Sequence, residues 1–168
     1  MNRETRRGIL LAALLLAGAG TSAPGLRAAG AQRPDAARTD VCAAVPGAEV
    51  AKAVGARLDQ TRPVRDPEGG SARCIYRVTL KGGAGEPAGY VLWLYPAAAY
   101  DELLAVHEGA VETVNGLGDA AILFQDEDQR WKLRFVVRGR YTCEATAPDA
   151  ASARLLARLA FDKLGAAP

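Results

Sequence analysis

The chain is 168 residues long, with 21 Lys and Arg against 19 Asp and Glu, 49% hydrophobic and 6% aromatic residues. A length near 150 residues suits one domain that buries roughly 68–70% of its unfolded surface. The formal charge of +2 gives no global electrostatic reason to bind nucleic acid or anionic lipid.

Residues 1–31 read as an export segment. Arg3, Arg6 and Arg7 precede the apolar run Ile9 to Leu16, and Ala29-Gly30-Ala31 offers a small-residue cleavage site before Gln32. A spanning helix needs about 20 apolar residues, and Gly18, Gly20, Thr21, Ser22 and Pro24 break the run first. No stable membrane insertion is expected after cleavage. Thr5-Arg6-Arg7-Gly8-Ile9-Leu10-Leu11 resembles the twin-arginine export motif, so the route is the general secretory one or that one. The segment carries four arginines and one glutamate, leaving the remainder at −1. The expected location is periplasmic or secreted.

Residues 32–39, polar and containing Pro34, read as a flexible leader, and residues 40–165 as a single α+β domain. Asp40 caps a helical turn through Val41, Cys42 and Val45; Pro46-Gly47 restarts a helix carrying Val50 and Val54, with Gly55 as its stop. Arg57 to Val64 is a weak strand, broken by Pro63 and suited to an edge. Ala72 to Leu80 alternates, with Cys74, Tyr76, Val78 and Leu80 opposed to Arg73, Arg77 and Thr79. Gly89 to Tyr95 is apolar on both faces and reads as a central strand, reached through a hairpin loop over residues 82–87.

Ala97 to Val114 shows helical spacing, Tyr100, Leu103, Leu104, His107, Ala110, Val111 and Val114 forming its apolar stripe. Ala120 to Phe124, Arg130 to Arg138 and Tyr141 to Thr146 follow as strands, joined by Asp126-Glu127-Asp128 and by Gly139. The last helix is capped by Asp149 and ends at Gly165, with Leu155, Leu156, Leu159 and Leu164 as its apolar set. The order is helix-βββ-helix-βββ-helix. Hairpin-length connections make it an antiparallel β-sheet with helices packed on one face.

Three cysteines in an oxidising compartment allow one intramolecular bridge and leave one thiol. Of the three pairings, Cys42 with Cys74 is favoured because it ties the first helical segment to a strand. Cys143 alternates with Tyr141 and Ala145, which makes it a buried, inert thiol. The competing reading, a redox or nucleophilic cysteine, lacks a C-x-x-C. Gly116-Leu117-Gly118-Asp119-Ala120-Ala121 fits G-x-G-x-x-A, yet a helix precedes it and a strand follows, the reverse of a dinucleotide site. It reads as a glycine turn. His107 sits on an apolar stripe with no triad spacing, and the acidic run at Asp126 lacks the alternating ligands of a calcium loop. No metal site and no cofactor are expected.

One constellation points outward. Trp131, Leu133, Phe135 and Val137 face one way, while Arg130, Lys132, Arg134 and Arg138 face the other; Arg73 and Arg77 form a second alternating pair. If these strands share an uncovered face near Trp93 and Tyr95, they make a basic platform with aromatics, fitted to an acidic partner or anionic ligand.

The export segment, Asp40-Val41-Cys42-Ala43 leading to Ala48-Glu49-Val50-Ala51 and Gly55, then Cys74-Ile75-Tyr76, then Gly116 to Ala121 and a Leu-rich terminal helix together resemble the small exported lipoprotein-type domains of unknown function common in actinobacteria. The resemblance spans most of residues 40–165. It implies an α/β sandwich of PsbP-like type with Cys42 and Cys74 as the matching disulfide. The first cysteine is Cys42, so the lipobox of lipidated members is missing. The expected function is a non-enzymatic binding module for an unknown envelope protein or anionic ligand, through Arg73, Arg77, Trp93, Arg130, Lys132 and Arg134. The alternative is a small exported hydrolase or redox protein using His107 or Cys143.

Overall fold

The computed structural model describes residues 35–81, 87–105 and 111–166, which belong to one compact unit, Arg33–Pro168. The expected export segment 1–31, most of the loop over 82–87 and His107 lie outside the described residues.

Residues 35–39, expected as leader, instead fold onto the domain. Asp35 accepts a hydrogen bond from the Ala37 N–H at 3.0 Å and starts a 3-10 turn, Ala36–Arg38, whose Ala36 is in the core. Asp40 then caps α1 (Val41–Ala44), its carboxylate accepting from the Ala43 N–H at 3.0 Å. Pro46 restarts the chain as α2 (Gly47–Ala53), and Gly55, at φ +68°, turns it into the sheet.

Seven antiparallel strands follow: β1 (Ala56–Asp66), β2 (Ser71–Leu80), β3 (Ala88–Pro96), β4 (Glu112–Thr113), β5 (Ala121–Gln125), β6 (Trp131–Val137) and β7 (Tyr141–Ala147). They are ordered β1-β2-β3-β7-β6-β5-β4 in one sheet, so two meanders meet where β3 pairs with β7. β1 is at an edge, where Pro63 needs no partner for its missing N–H. β3 and β7 are central, and every residue of β7 is buried.

Period-two alternation gives the sheet two faces. Cys74, Tyr76, Val78, Tyr90, Leu92, Leu94, Leu133, Phe135, Cys143 and Ala145 point to one of them and form the core with Val41, Val45 and Val50. The Tyr76 hydroxyl donates to the Val45 carbonyl at 2.8 Å, which satisfies the one polar atom this ring carries inward. The disulfide between Cys42 and Cys74 ties α1 to β2 on the same side.

The terminal helix α4 (Ala150–Gly165) closes this layer, capped by Asp149, whose carboxylate accepts from the Ser152 N–H at 2.8 Å. Its buried stripe is Ala153, Leu156, Ala157, Ala160 and Leu164, at helical spacing. Leu155, expected inside, is 47% exposed. Three alanines on the stripe let the helix approach β6 and β7 closely, so the buried arc is narrow and Leu155 falls outside it.

Two expectations about the middle of the chain are corrected. Within the helix expected over residues 97–114, the described residues give α3 (Ala99–Ala105), residues 106–110 lie outside the described residues, and Glu112–Thr113 is instead strand β4, paired with Leu123 and Ile122. β-branched residues at 111, 113 and 114 favour an extended backbone, and the open edge of β5 supplies its ladder. Nor are the helices confined to one face. α3 touches β6 through the side that carries Arg134, opposite the core.

Gly118 explains the glycine pair that mimics a nucleotide motif. Its φ is +68°, and a Cβ there would lie 2.0 Å from the Val136 carbonyl oxygen. Val136 also accepts the Asp119 N–H at 2.9 Å, so the turn is laid directly against β6. A helix N-terminus does not follow; β5 does.

Candidate functional face

The sheet face opposite the core gathers Arg73, Arg77, Trp93, Lys132 and Arg134, because each lies at the outward parity of its strand, while Arg130 immediately precedes β6. The ladder sets them in rows. Val64, Arg73, Trp93, Glu144, Arg134 and Ile122 run across the sheet in one row, and Arg62, Ile75, Val91, Thr146, Lys132 and Phe124 in the next. Arg77 opposes Gly89 one row further.

The two halves of this face differ. Over β5 to β7 it is closed: Ile122, Phe124, Arg134, Thr142, Glu144 and Thr146 are all buried. The Ala97 carbonyl accepts from the Thr142 hydroxyl at 3.0 Å and the Leu103 carbonyl from Arg134, which holds α3 down over that half. Over β1 to β3 it is open among the described residues. Arg62 and Arg77 are exposed there, with Val64, Arg73, Ile75, Val91, Trp93 and Tyr95 half-buried.

Arg134 therefore departs from its expected role. It is 5% exposed, its Nε donates to Glu144 Oε2 at 3.0 Å, its Nη2 reaches the same oxygen, and its guanidinium lies 5.0 Å from the Phe124 ring centre. A guanidinium so enclosed is spent on the fold and offers nothing to a partner. Lys132 is partly spent too, with Nζ 3.3 Å from Asp126 and 3.6 Å from Glu144. Arg130 donates to the Gly89 carbonyl, its side chain crossing toward β3. Arg138 is in the β6–β7 turn at φ +48° and leaves the face.

Asp126 locks the hairpin between β5 and β6 rather than a cation. Its carboxylate accepts the Arg130 N–H at 2.9 Å and faces Lys132. Burial raises this acid, but the Arg130 and Asp128 N–H groups and the Lys132 ammonium outweigh it and leave the carboxyl below its ordinary value. No cluster of three or more His, Cys, Asp or Glu suited to a metal ion occurs among the described residues.

The open half keeps its charge. Arg73 stacks on Trp93, its guanidinium carbon 4.2 Å from the ring centre, and Trp93 in turn stacks on Tyr95 at 5.5 Å and 10°. Its Nε is buried and has no hydrogen-bond acceptor. Arg62 and Arg77 have no carboxylate within ion-pair distance among the described residues. Asp59 on β1 is engaged by Arg57 at 3.2 Å and by the Thr79 hydroxyl at 2.6 Å. Burial raises the Tyr95 hydroxyl well above its ordinary value, Glu144 adding to this and Arg134 and Arg73 opposing it.

Cys143 is fully buried in the core, and burial holds its thiol protonated far above the ordinary range. That environment suits structure, not nucleophilic chemistry. Glu144 and Arg62 were not among the residues singled out from sequence. Glu144 had a readable sign, a lone carboxylate between Thr142 and Thr146 in a strand otherwise apolar, next to a strand of alternating cations.

No helix among the described residues is long and apolar enough to cross a membrane. Comparison with protein-family models, with curated proteins and with solved structures finds no match.

Proposed function

We propose that this chain is a non-enzymatic binding module, exported to the periplasm or the medium by its leading segment, that engages an anionic partner through the open half of its sheet. The kinship to small exported lipoprotein-type domains belongs to the same reading. The observation that carries it is the contrast between the halves. Where α3 covers the sheet, arginine is paired with glutamate; where nothing described covers it, Arg62, Arg73 and Arg77 stand unpaired beside a stacked Trp93 and Tyr95. A face meant only for solubility has no need of a half-buried tryptophan under an arginine, whereas Trp, Tyr and Arg are the residues that anchor interfaces.

The test is retention on immobilised polyglutamate and on immobilised polylysine under a rising salt gradient. The wild-type protein should be held by polyglutamate, despite a charge of −1 after the leader, and released by salt as exposed ion pairs are screened. The variant with Arg62→Glu, Arg73→Glu and Arg77→Glu should pass through with an unchanged circular dichroism spectrum. Equal retention of the two proteins overturns the proposal. For export, mass spectrometry of the cell-envelope and medium fractions should find an N-terminus near Gln32; an intact Met1 there refutes it.

A further inference from the structure

The open face has a spacing as well as a charge, and the spacing restricts the partner. On β2 the outward residues Arg77, Ile75 and Arg73 follow one another at two-residue steps of about 6.8 Å, so two arginines rooted about 14 Å apart along the strand flank an aliphatic centre. Val91 stands beside Ile75 on β3, and Trp93 beside Arg73. Arg62, opposite Ile75 on β1, adds a third cation at the rim.

This arrangement has an apolar middle and a basic border. A polyanion whose charges repeat without interruption gains nothing from Ile75 and Val91, which it would desolvate against polar groups. A peptide with one apolar side chain between two carboxylates uses all three rows. Size points the same way. Three strands about 4.8 Å apart, followed over four two-residue rows, cover roughly 400 Å² in projection, about half of the roughly 800 Å² per partner of an ordinary interface between folded proteins.

We infer that the open face recognises a single extended acidic peptide segment of the form acid-x-apolar-x-acid. Side chains at i, i+2 and i+4 of an extended peptide share one face at the same two-residue step. The two carboxylates then meet Arg77 and Arg73 while the apolar residue covers Ile75 and Val91. Arg73 is positioned for this by its stack on Trp93, and its Nε has no acceptor among the described residues, so the guanidinium is not already committed to a carboxylate of the described chain. This rests on the binding-module reading above and names its ligand class.

Two fluorescein-labelled peptides of identical composition separate the spacing from the charge: Glu-Ser-Leu-Ser-Glu and Glu-Glu-Leu-Ser-Ser. Fluorescence anisotropy with the folded, disulfide-bonded protein should show the first binding about fivefold or more tightly than the second, since the shuffled order keeps the leucine central but turns one carboxylate to the opposite face of the extended peptide and leaves an arginine unpaired. Arg77→Glu, an exposed change that leaves the fold intact, should abolish the difference, and Arg73→Glu should do so too where circular dichroism shows it folded. Arg158→Glu, on the outer side of α4, should leave it unchanged. Equal binding of the two peptides overturns the spacing inference and leaves the anionic-face reading standing. Stronger binding of heparin than of either peptide, abolished by Arg77→Glu, also overturns it, in favour of a polyanion. Failure of every anionic probe to bind, with polyglutamate included, overturns both readings together.

Discussion

Removing the carboxylate of Glu144 should be the most destabilising single polar change in the protein. Arg134 and Glu144 are 5% and 3% exposed, in the middle of β6 and β7 beneath α3. Glu144→Leu leaves the guanidinium charged, desolvated and held only by the Leu103 carbonyl and the Phe124 ring. Breaking a buried pair from one side costs about 3–5 kcal/mol, which for a domain near 130 residues lowers Tm by roughly 10–20 °C. The reverse change should cost less. In Arg134→Met, Glu144 retains Lys132, whose Nζ is 3.6 Å away, so the stranded charge keeps a partner. The double variant Arg134→Met with Glu144→Leu should recover most of the loss, to within about 2 kcal/mol of wild type, because an apolar pair of similar volume replaces two desolvated ions. Urea unfolding followed by tryptophan fluorescence and by far-ultraviolet circular dichroism gives all four corners of the cycle. A cost under about 1 kcal/mol for Glu144→Leu, or a double variant no more stable than the worse single one, would refute the assignment of this pair as a buried, mutually dependent ion pair.

Gly118→Ala should destabilise by about 2–4 kcal/mol, combining a positive φ with a Cβ driven onto the Val136 carbonyl; a urea midpoint equal to wild type contradicts that geometry. Cys42→Ser should lower stability by about 3–4 kcal/mol, the loop-closure entropy of a bridge spanning 32 residues, and the same loss should appear on reduction of the wild type. Cys143 should resist alkylation in the folded protein and react only after unfolding, as an electrophile assay with and without urea will show. Alkaline pH should also weaken the fold. Burial raises Cys143, Tyr76 and Tyr95, so each stays protonated when folded while the unfolded chain ionises from about pH 8.5 for the thiol and about pH 10 for the phenols. Stability is thus fully present below about pH 8.5 and falls as pH rises; Cys143→Ala should flatten the part of the fall between about pH 8.5 and 10. A level profile up to pH 10.5 counts against the burial of these groups.

The strands were legible because alternation is written directly in the residues: Cys74, Tyr76 and Val78 against Arg73 and Arg77, or Leu133 and Phe135 against Lys132 and Arg134. Their caps and stops were legible too, Asp40 and Asp149 at helix starts and Gly55 at a helix end. Periodicity failed at residues 111–114, where the end of a helical stripe and a β-branched cluster overlap and the edge of β5 decides for strand β4. The pairing of β3 with β7 is equally absent from any local pattern, since it joins strands far apart in sequence. That pairing sets Trp93 beside Glu144 and so joins the Arg73–Trp93 neighbours of one meander and the Arg134–Glu144 neighbours of the other in a single row, so the parity of the site residues was readable while their shared row was not.

The same parity therefore does not mean the same role. Arg73 and Arg134 point to one face and share one row of the sheet, and they differ in what stands across the strand from them, Trp93 for the first and Glu144 for the second, and in the α3 cover over the second. A guanidinium over an aromatic ring keeps its charge and its in-plane N–H donors for a further acceptor, whereas one paired with a buried carboxylate has already used them. Reversing Arg130, Lys132 and Arg134 together would accordingly report on folding, through the Glu144 pair, and not on recognition. Reversing Arg62, Arg73 and Arg77 isolates recognition, because these cations have no carboxylate of the described chain to leave stranded. The proposed binding half of the face is thus defined by subtraction: it is the set of outward cations that the fold has not already neutralised.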